Sequence, residues 1–341
     1  MTPAKVAEAF DFQSKACADL GSPFMAQLCR LLAERPWPDC AITRRIFSWP
    51  GDLSPSSASI PLRLCGGLHA LHLTRDLFHK IYPPAVVNDD QLWGAVTHVL
   101  VAEDSFLNAW IDSAPQTNEV QRSALIIAAG HVIADHFPLP IRTSELGASG
   151  GLNLKWDHYG LRIGADLWGA DDILVLEPDW TGPLPPSSPP SIIERRGVDL
   201  NPLNPTNPSD SLRLQAYLWP DQPDRLARTK SALSIADPLV DQGDAIDWLE
   251  PRLRHQTGQT HIIYNTVAWQ YFPNDVQKRG RELIEAAGAK ATADSPLAWF
   301  SMETDGTSPG AALTLRLWPG DVTLHLGRAD FHGRWVRWSG Q

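Results

Sequence analysis

The chain has little cysteine. Four of its 341 residues are Cys, at 17, 29, 40 and 65, and no two form a Cys-x-x-Cys pair. That spacing suggests neither a zinc site nor a redox motif. Buried thiols in a reducing compartment, and so a cytoplasmic location, are the expectation. Long apolar runs are missing as well, none approaching the roughly 20 residues that span a bilayer. Residues 1–10 lack the apolar stretch of a secretory signal, so no membrane association is expected. Basic charge is scarce. The 29 Lys and Arg are outnumbered by 39 Asp and Glu, for a net charge of −10. Nucleic-acid binders usually carry a basic footprint, so no such partner is expected. There is no Gly-x-Ser-x-Gly elbow, no Walker loop and no internal repeat. His69 and His72 stand three apart, but no further ligands join them. They read as buried histidines, and no metal is expected.

What remains is the composition of a globular protein, 43% hydrophobic and 20% charged. Its 29 Pro and 14 Trp predict many defined turns and large aromatic contacts. Residues 1–138 read as a helical region. Ser22 and Pro23 open one helix as N-cap and first residue. Leu62 to Leu73 mark a second apolar segment, Val96 to Trp110 a third helix and Val120 to Phe137 a fourth. Residues 139–341 alternate strand and helix, which predicts an α/β domain with a Rossmann-like, mostly parallel sheet. Strands are expected at 141–144, 191–199, 238–244 (strand and turn), 261–266 and 297–302, with an antiparallel hairpin over 313–325. Residues 159–190 read as inserted strands and a proline-rich loop. A helix over 275–287 is expected to end at Gly288 as its C′ residue.

The segment Thr143-Ser144-Glu145-Leu146-Gly147-Ala148-Ser149-Gly150-Gly151-Leu152 carries the chemistry. A strand, a glycine-rich turn and a following helix (151–158) would let a ligand lie against bare backbone. The dinucleotide fingerprint Gly-x-Gly-x-x-Gly is not present in clean form. A diphosphate favours a helix N-terminus without a neighbouring acid, whereas an ammonium and a sulfonium benefit from Glu145. The pattern resembles the Glu-x-Gly-x-Gly-x-Gly motif of class I S-adenosylmethionine-dependent methyltransferases, with Ser149 in place of the middle glycine.

Three later strand ends join it. Asp199 and Leu200 end the second strand, where an acid can accept both ribose hydroxyls. Asp244 and Ala245 follow the third, suited either to an adenine amino group or to an N-cap. Asn265 ends the fourth. Cofactor contacts are therefore expected at Glu145, Gly147, Ala148, Ser149, Gly151, Asp199, Leu200, Asp244, Ala245 and Asn265. The ribose acid usually follows the glycines by about 20 residues, so Glu177 competes with Asp199. Asp199 is preferred because Gly-Val-Asp-Leu-Asn-Pro runs from an apolar strand into a turn. It also suits an Asx turn. A polar cluster before the motif supplies substrate candidates Gln116, Asn118, Glu119 and Arg122. In the alternative, Thr117 or Asn118 caps the next helix, with Gln121 closing a capping box. Tyr271, with Trp269 and Phe272, forms an aromatic wall or ordinary core.

Over nearly its whole length the chain resembles a bacterial family known as domain of unknown function 2332. The resemblance is carried by Gly21-Ser22-Pro23-Phe24, Pro61-Leu62-Arg63-Leu64, Gln116 to Val120, Glu145 to Leu154, Arg195 to Leu203, Leu218-Trp219-Pro220, Gly243-Asp244-Ala245 and His332 to Trp335. It implies a methyltransferase-like sheet after a helical part, and no reaction. The leading functional expectation is an S-adenosylmethionine-dependent methyltransferase of a small molecule, with no general base assigned. A non-catalytic ligand binder of the same fold is the alternative, and a nicotinamide-dependent oxidoreductase the third.

Overall fold

The computed structural model describes residues 2–55 and 57–340. The chain forms two compact units, one of residues 1–117 with 211–227, the other of residues 118–210 with 228–341.

The first unit is helical. It comprises α1 (Ala4–Asp19), α2 (Pro23–Glu34), α3 (Ala41–Phe47), α4 (Ile60–Arg75), α5 (Asp89–Ala102) and α6 (Asp104–Trp110). Ser22 caps α2 as the sequence implies, its hydroxyl accepting from the Met25 N–H. Asn88 and Gln91 form a reciprocal capping box at the start of α5. The expected helix over 96–110 is two helices, because the backbone leaves helical geometry at Glu103 (φ −112°). His69 is buried and its Nδ1 lies 3.1 Å from the Ala216 carbonyl, a satisfied core histidine. All four cysteines are buried. Among the described residues no helix is long and apolar enough to cross a membrane.

The second unit is built on a nine-stranded sheet. It continues with α7 (Ser123–His136), β1 (Ile141–Leu146), β2 (Gly160–Ile163), β3 (Asp166–Gly169), β4 (Val175–Leu176), β5 (Asp179–Thr181) and β6 (Ile192–Asp199). The chain leaves this unit within α8 (Pro208–Ala216) and re-enters it within α9 (Pro223–Leu233); then come β7 (Val240–Gln242), α10 (Ala245–Arg252), β8 (Thr260–Thr266), α11 (Asn274–Gly288), β9 (Leu297–Glu303), β10 (Ala311–Trp318), β11 (Val322–Ala329) and β12 (Trp335–Trp338). The sheet order is β5-β12-β11-β10-β9-β8-β1-β6-β7. From β7 to β9 every neighbour is parallel, and β9 to β12 form an antiparallel meander. Counted along the central strands this is the doubly wound order 3-2-1-4-5-6, which reverses between β1 and β8.

Alternation along the strands sorts the two faces. Ile262, Tyr264, Ala298, Phe300 and Met302 join a core shared with α7, while Leu146, Val198, Ile263 and Leu297 join another beneath α10 and α11. α7 is buried from Ser123 to Ala134, apolar on nearly every face, as a helix enclosed in a core must be. Residues 159–190 stay peripheral. β3, β2 and β4 make a separate small sheet, and β5 pairs with β12 at the far edge of the large one.

The helix expected after the glycine-rich loop is a 3-10 helix, Leu152–His158. One local expectation is corrected. Gly288 is not a left-handed C′ residue. It lies inside α11, and a Cβ there would stand 2.4 Å from the Trp318 ring, so close packing is what needs glycine.

Candidate functional site

In a doubly wound sheet the crevice outside the carboxyl ends of the strands opens where the order reverses. Here that point lies between Gly147, after β1, and Val267, after β8. Gly147 has φ +75°, and a Cβ on it would lie 2.5 Å from the Ala268 Cβ. The two strand ends therefore meet backbone to side chain. Two non-glycine residues flank this contact in the left-handed region, Ser149 (φ 52°) and Val267 (φ 54°). For β-branched Val267 that conformation is a genuine outlier, and such strain concentrates at ligand sites.

Acidic groups hold the strained backbone. The Asp199 carboxylate accepts the Ser149 N–H at 2.9 Å through one oxygen and the Asn201 N–H at 3.0 Å through the other. Asp199 thus closes an Asx turn and fixes the glycine-rich loop from the end of β6, beside β1. Leu200, next to it, is 65% exposed. Across the crevice Glu303, at the end of β9, accepts the Ala268, Trp269 and Gln270 N–H groups and the Asn265 side-chain amide. The sequence reading did not single out Glu303. Its position, an acid ending a parallel strand, was the available signal.

Glu145 is buried, and its only hydrogen bond among the described residues is a long one, 3.4 Å, from the Tyr264 hydroxyl. Burial raises its carboxyl well above the usual range. The Tyr264 bond and the Arg122 charge oppose the shift, and the Asp199 charge adds to it. Neither Glu145 nor Asp199 has an ion-pair partner among the described residues. The edge thus brings two carboxyl groups, neither in an ion pair among the described residues, beside the bare backbone of the glycine-rich loop.

The other expected residues divide. Ala148 and Gly151 are buried in the loop. The Gly151 Cβ position lies 2.8 Å from Val240, which again leaves room only for glycine. Asn118 accepts the Leu152 N–H, and the Asn153 amide bonds the Glu119 carbonyl, so this segment braces the exit of the glycine loop. The expected cap is neither Thr117 nor Asn118. Glu119 takes that place, accepting from the Gln121 N–H. Arg122 ties Phe331 to the end of β8, donating to the Phe331 carbonyl at 2.8 Å and the Thr266 carbonyl at 3.1 Å. Gln116 is half-buried and belongs to the helical unit.

Asp244 caps α10, one oxygen accepting both the Ile246 and Asp247 N–H groups, and Ala245 is the buried first residue of that helix. The Asn265 amide is taken up by Trp299, Ser301 and Glu303. Tyr271 is 73% exposed while Trp269 is buried, so the two do not form one wall. Glu177 pairs with Arg162 at the surface of the small sheet, away from β1.

No curated protein matches the chain. Among solved structures it is similar to SCL7 from Oryza sativa, at 13% identity and a TM-score of 0.26. That similarity covers 90% of this chain and spans 66% of that protein's chain. A family model described as an uncharacterised protein conserved in bacteria matches residues 7–338. The chain belongs to that bacterial family, domain of unknown function 2332.

Proposed function

We propose that this carboxyl edge binds S-adenosylmethionine and that the protein methylates a small molecule. The observation that carries the reading is the pair Glu145 and Asp199, two acids with no ion pair among the described residues, on adjacent strands beside the switch point. That cofactor supplies an electrophilic methyl group on a cationic sulfur. Glu145 would take its ammonium group, which offsets the burial of the carboxylate. Asp199 retains lone pairs for the ribose hydroxyls after its two backbone bonds. Exposed Leu200 would cover one face of the adenine. Gly147 to Ser149 would offer close approach along the backbone, and the half-buried Arg122 would close the edge of the site. Such a site works mainly by holding donor and acceptor in line.

The 3-10 helix after the loop weighs against a dinucleotide. Its first N–H, at Leu152, is already bonded to Asn118, so an α-helical N-terminus open to a diphosphate is missing there. Thermal-shift titrations with S-adenosylmethionine, S-adenosylhomocysteine and NAD test the proposal. A ligand at 100 times its Kd adds about 2.7 kcal/mol of stability. Stabilisation by the first two and not by NAD is the expected result. No stabilisation by either removes the reading. Stabilisation without methyl transfer to any acceptor from a metabolite library points to a ligand-binding protein of this fold.

A further inference from the structure

The large sheet carries a second recess, on the α10 and α11 face. Along β9 and β10 the inward residues Phe300, Met302, Leu313 and Leu315 are buried, while their neighbours point the other way. On that outer face Ser301 stands opposite Thr314, and both are short. α11 passes above them and leaves a cavity of about 440 Å³. That volume falls within the ordinary range of small-molecule sites, about 300–1,000 Å³.

The lining is aromatic at one end. Trp269 and Trp299 pack with ring centroids 5.1 Å apart, inclined at 55°. Gln277 and Arg281, four residues apart and so on one face of α11, supply the wall. The charges are unequal. Arg316 is paired with Glu285 and Asp321, and Asp305 with Arg328. Glu303 is occupied by four donors. Arg281 has no ion pair among the described residues, and its guanidinium lies 5.9 Å from the centre of the Trp269 ring. Two further donors of the lining, Trp269 Nε1 and Arg316 Nε, are buried without an acceptor among the described residues. The cavity therefore offers donors and flat apolar surface, while its carboxylates, Glu303 and Asp305, are already engaged.

We infer that this recess is a binding site for a planar aromatic carboxylate. Its ring would lie against Trp299 and Trp269, and its carboxylate would pair with Arg281. The inference does not rest on the cofactor reading: the recess shares Trp269, Gln270 and Glu303 with the edge described above, but none of its lining residues belongs to the glycine-rich loop.

Calorimetric titration of the whole protein with indole-3-carboxylate and 2-naphthoate, against neutral indole and cationic tryptamine, tests it. The acids are expected to bind with Kd below about 1 mM, and both controls at least about tenfold more weakly. Arg281→Gln is expected to weaken the acids about tenfold and leave indole unchanged. Thr314→Phe, which fills the floor on an outward strand position that tolerates an aromatic ring, is expected to abolish binding of all probes. Unchanged thermal melting shows that each variant is folded. The site is overturned if neither acid saturates below about 1 mM, if indole equals the acids, or if both variants bind the acids like the wild type.

Discussion

Gly147 is the position at which packing and ligand arguments part most cleanly. Replacing it with Ala adds one carbon in two unfavourable ways. The residue sits at φ +75°, where a side chain costs about 1–2 kcal/mol. The new Cβ would also lie 2.5 Å from the Ala268 Cβ, well inside the 3.4 Å at which ordinary contact begins. Relief requires movement of the β8 end, which Glu303 holds through three N–H groups. Overpacking of this kind costs about 1–3 kcal/mol. Gly147→Ala should therefore destabilise the sheet unit by about 2–5 kcal/mol, the sum of the two costs. Ala268→Gly removes the opposing carbon. On its own it should cost about 1–2 kcal/mol, from a lost methyl contact and added chain entropy. In the double variant the steric part vanishes and the backbone part remains. A double-mutant cycle read by urea unfolding should thus show a favourable coupling of about 1–3 kcal/mol. Gly147→Ala within about 0.5 kcal/mol of wild type, a change ordinary for a neutral surface site, would refute the reasoning. So would a double variant no more stable than simple addition predicts.

Further outcomes follow from the acids of the same edge. The raised Glu145 carboxyl gives a stability contribution that is full below the unfolded pKa, about 4.3. It is lost as pH rises through the higher folded value. Glu145→Gln should therefore gain on wild type with rising pH by at most about 1.4 kcal/mol per pH unit, as measured by melting from pH 4 upward; a constant difference would contradict it. If the cofactor reading holds, Asp199→Ala should weaken S-adenosylmethionine binding by one to a few orders of magnitude. Two charge-assisted bonds of about 1.5–3 kcal/mol each are lost, whereas Glu177→Ala, which removes only the surface pair with Arg162, should leave calorimetric affinity unchanged. Glu303→Gln should destabilise by about 1–3 kcal/mol, because an amide N–H₂ cannot accept from the backbone donors that the carboxylate holds. Hydrogen exchange should quicken first at 268–270.

The central sheet was legible because strand-length segments alternate with helical ones and several of the parallel strands end in a marked residue. Ile192 to Asp199 closes on Gly197-Val198-Asp199, and Thr260 to Thr266 on Asn265-Thr266. Those end residues mark the switch point, so the stretch from Glu145 to Ser149 and Asp199 could be placed at one edge. What stayed hidden depends on tertiary approach. Apolar spacing continues across Glu103 into Leu107 and Trp110, so periodicity alone does not split α5 from α6. Gly288 follows the rule for a helix end, yet its cause is the Trp318 ring on β10. Asp244 satisfies two requirements equally in sequence, and only the positions of the Ile246 and Asp247 N–H groups show that it caps α10.

The acids of this edge are tied to strained backbone, and that constrains how any function here can be tested. Ser149 and Val267 both occupy the left-handed region, at a cost of about 1–3 kcal/mol each. Asp199 bonds the backbone of the first residue, and Glu303 that of the three residues after the second. Removing either carboxylate alters loop shape together with any ligand contact, so lost binding alone does not identify a ligand group. Glu145 differs. Among the described residues it bonds no backbone N–H, and its one hydrogen-bond partner is the Tyr264 hydroxyl, 3.4 Å away. A buried carboxyl with so little structural employment, set between two strained turns, is the group whose replacement reads ligand chemistry with least interference from the fold. It should also release a proton when a cation binds beside it, because a neighbouring positive charge lowers the pKa that burial has raised.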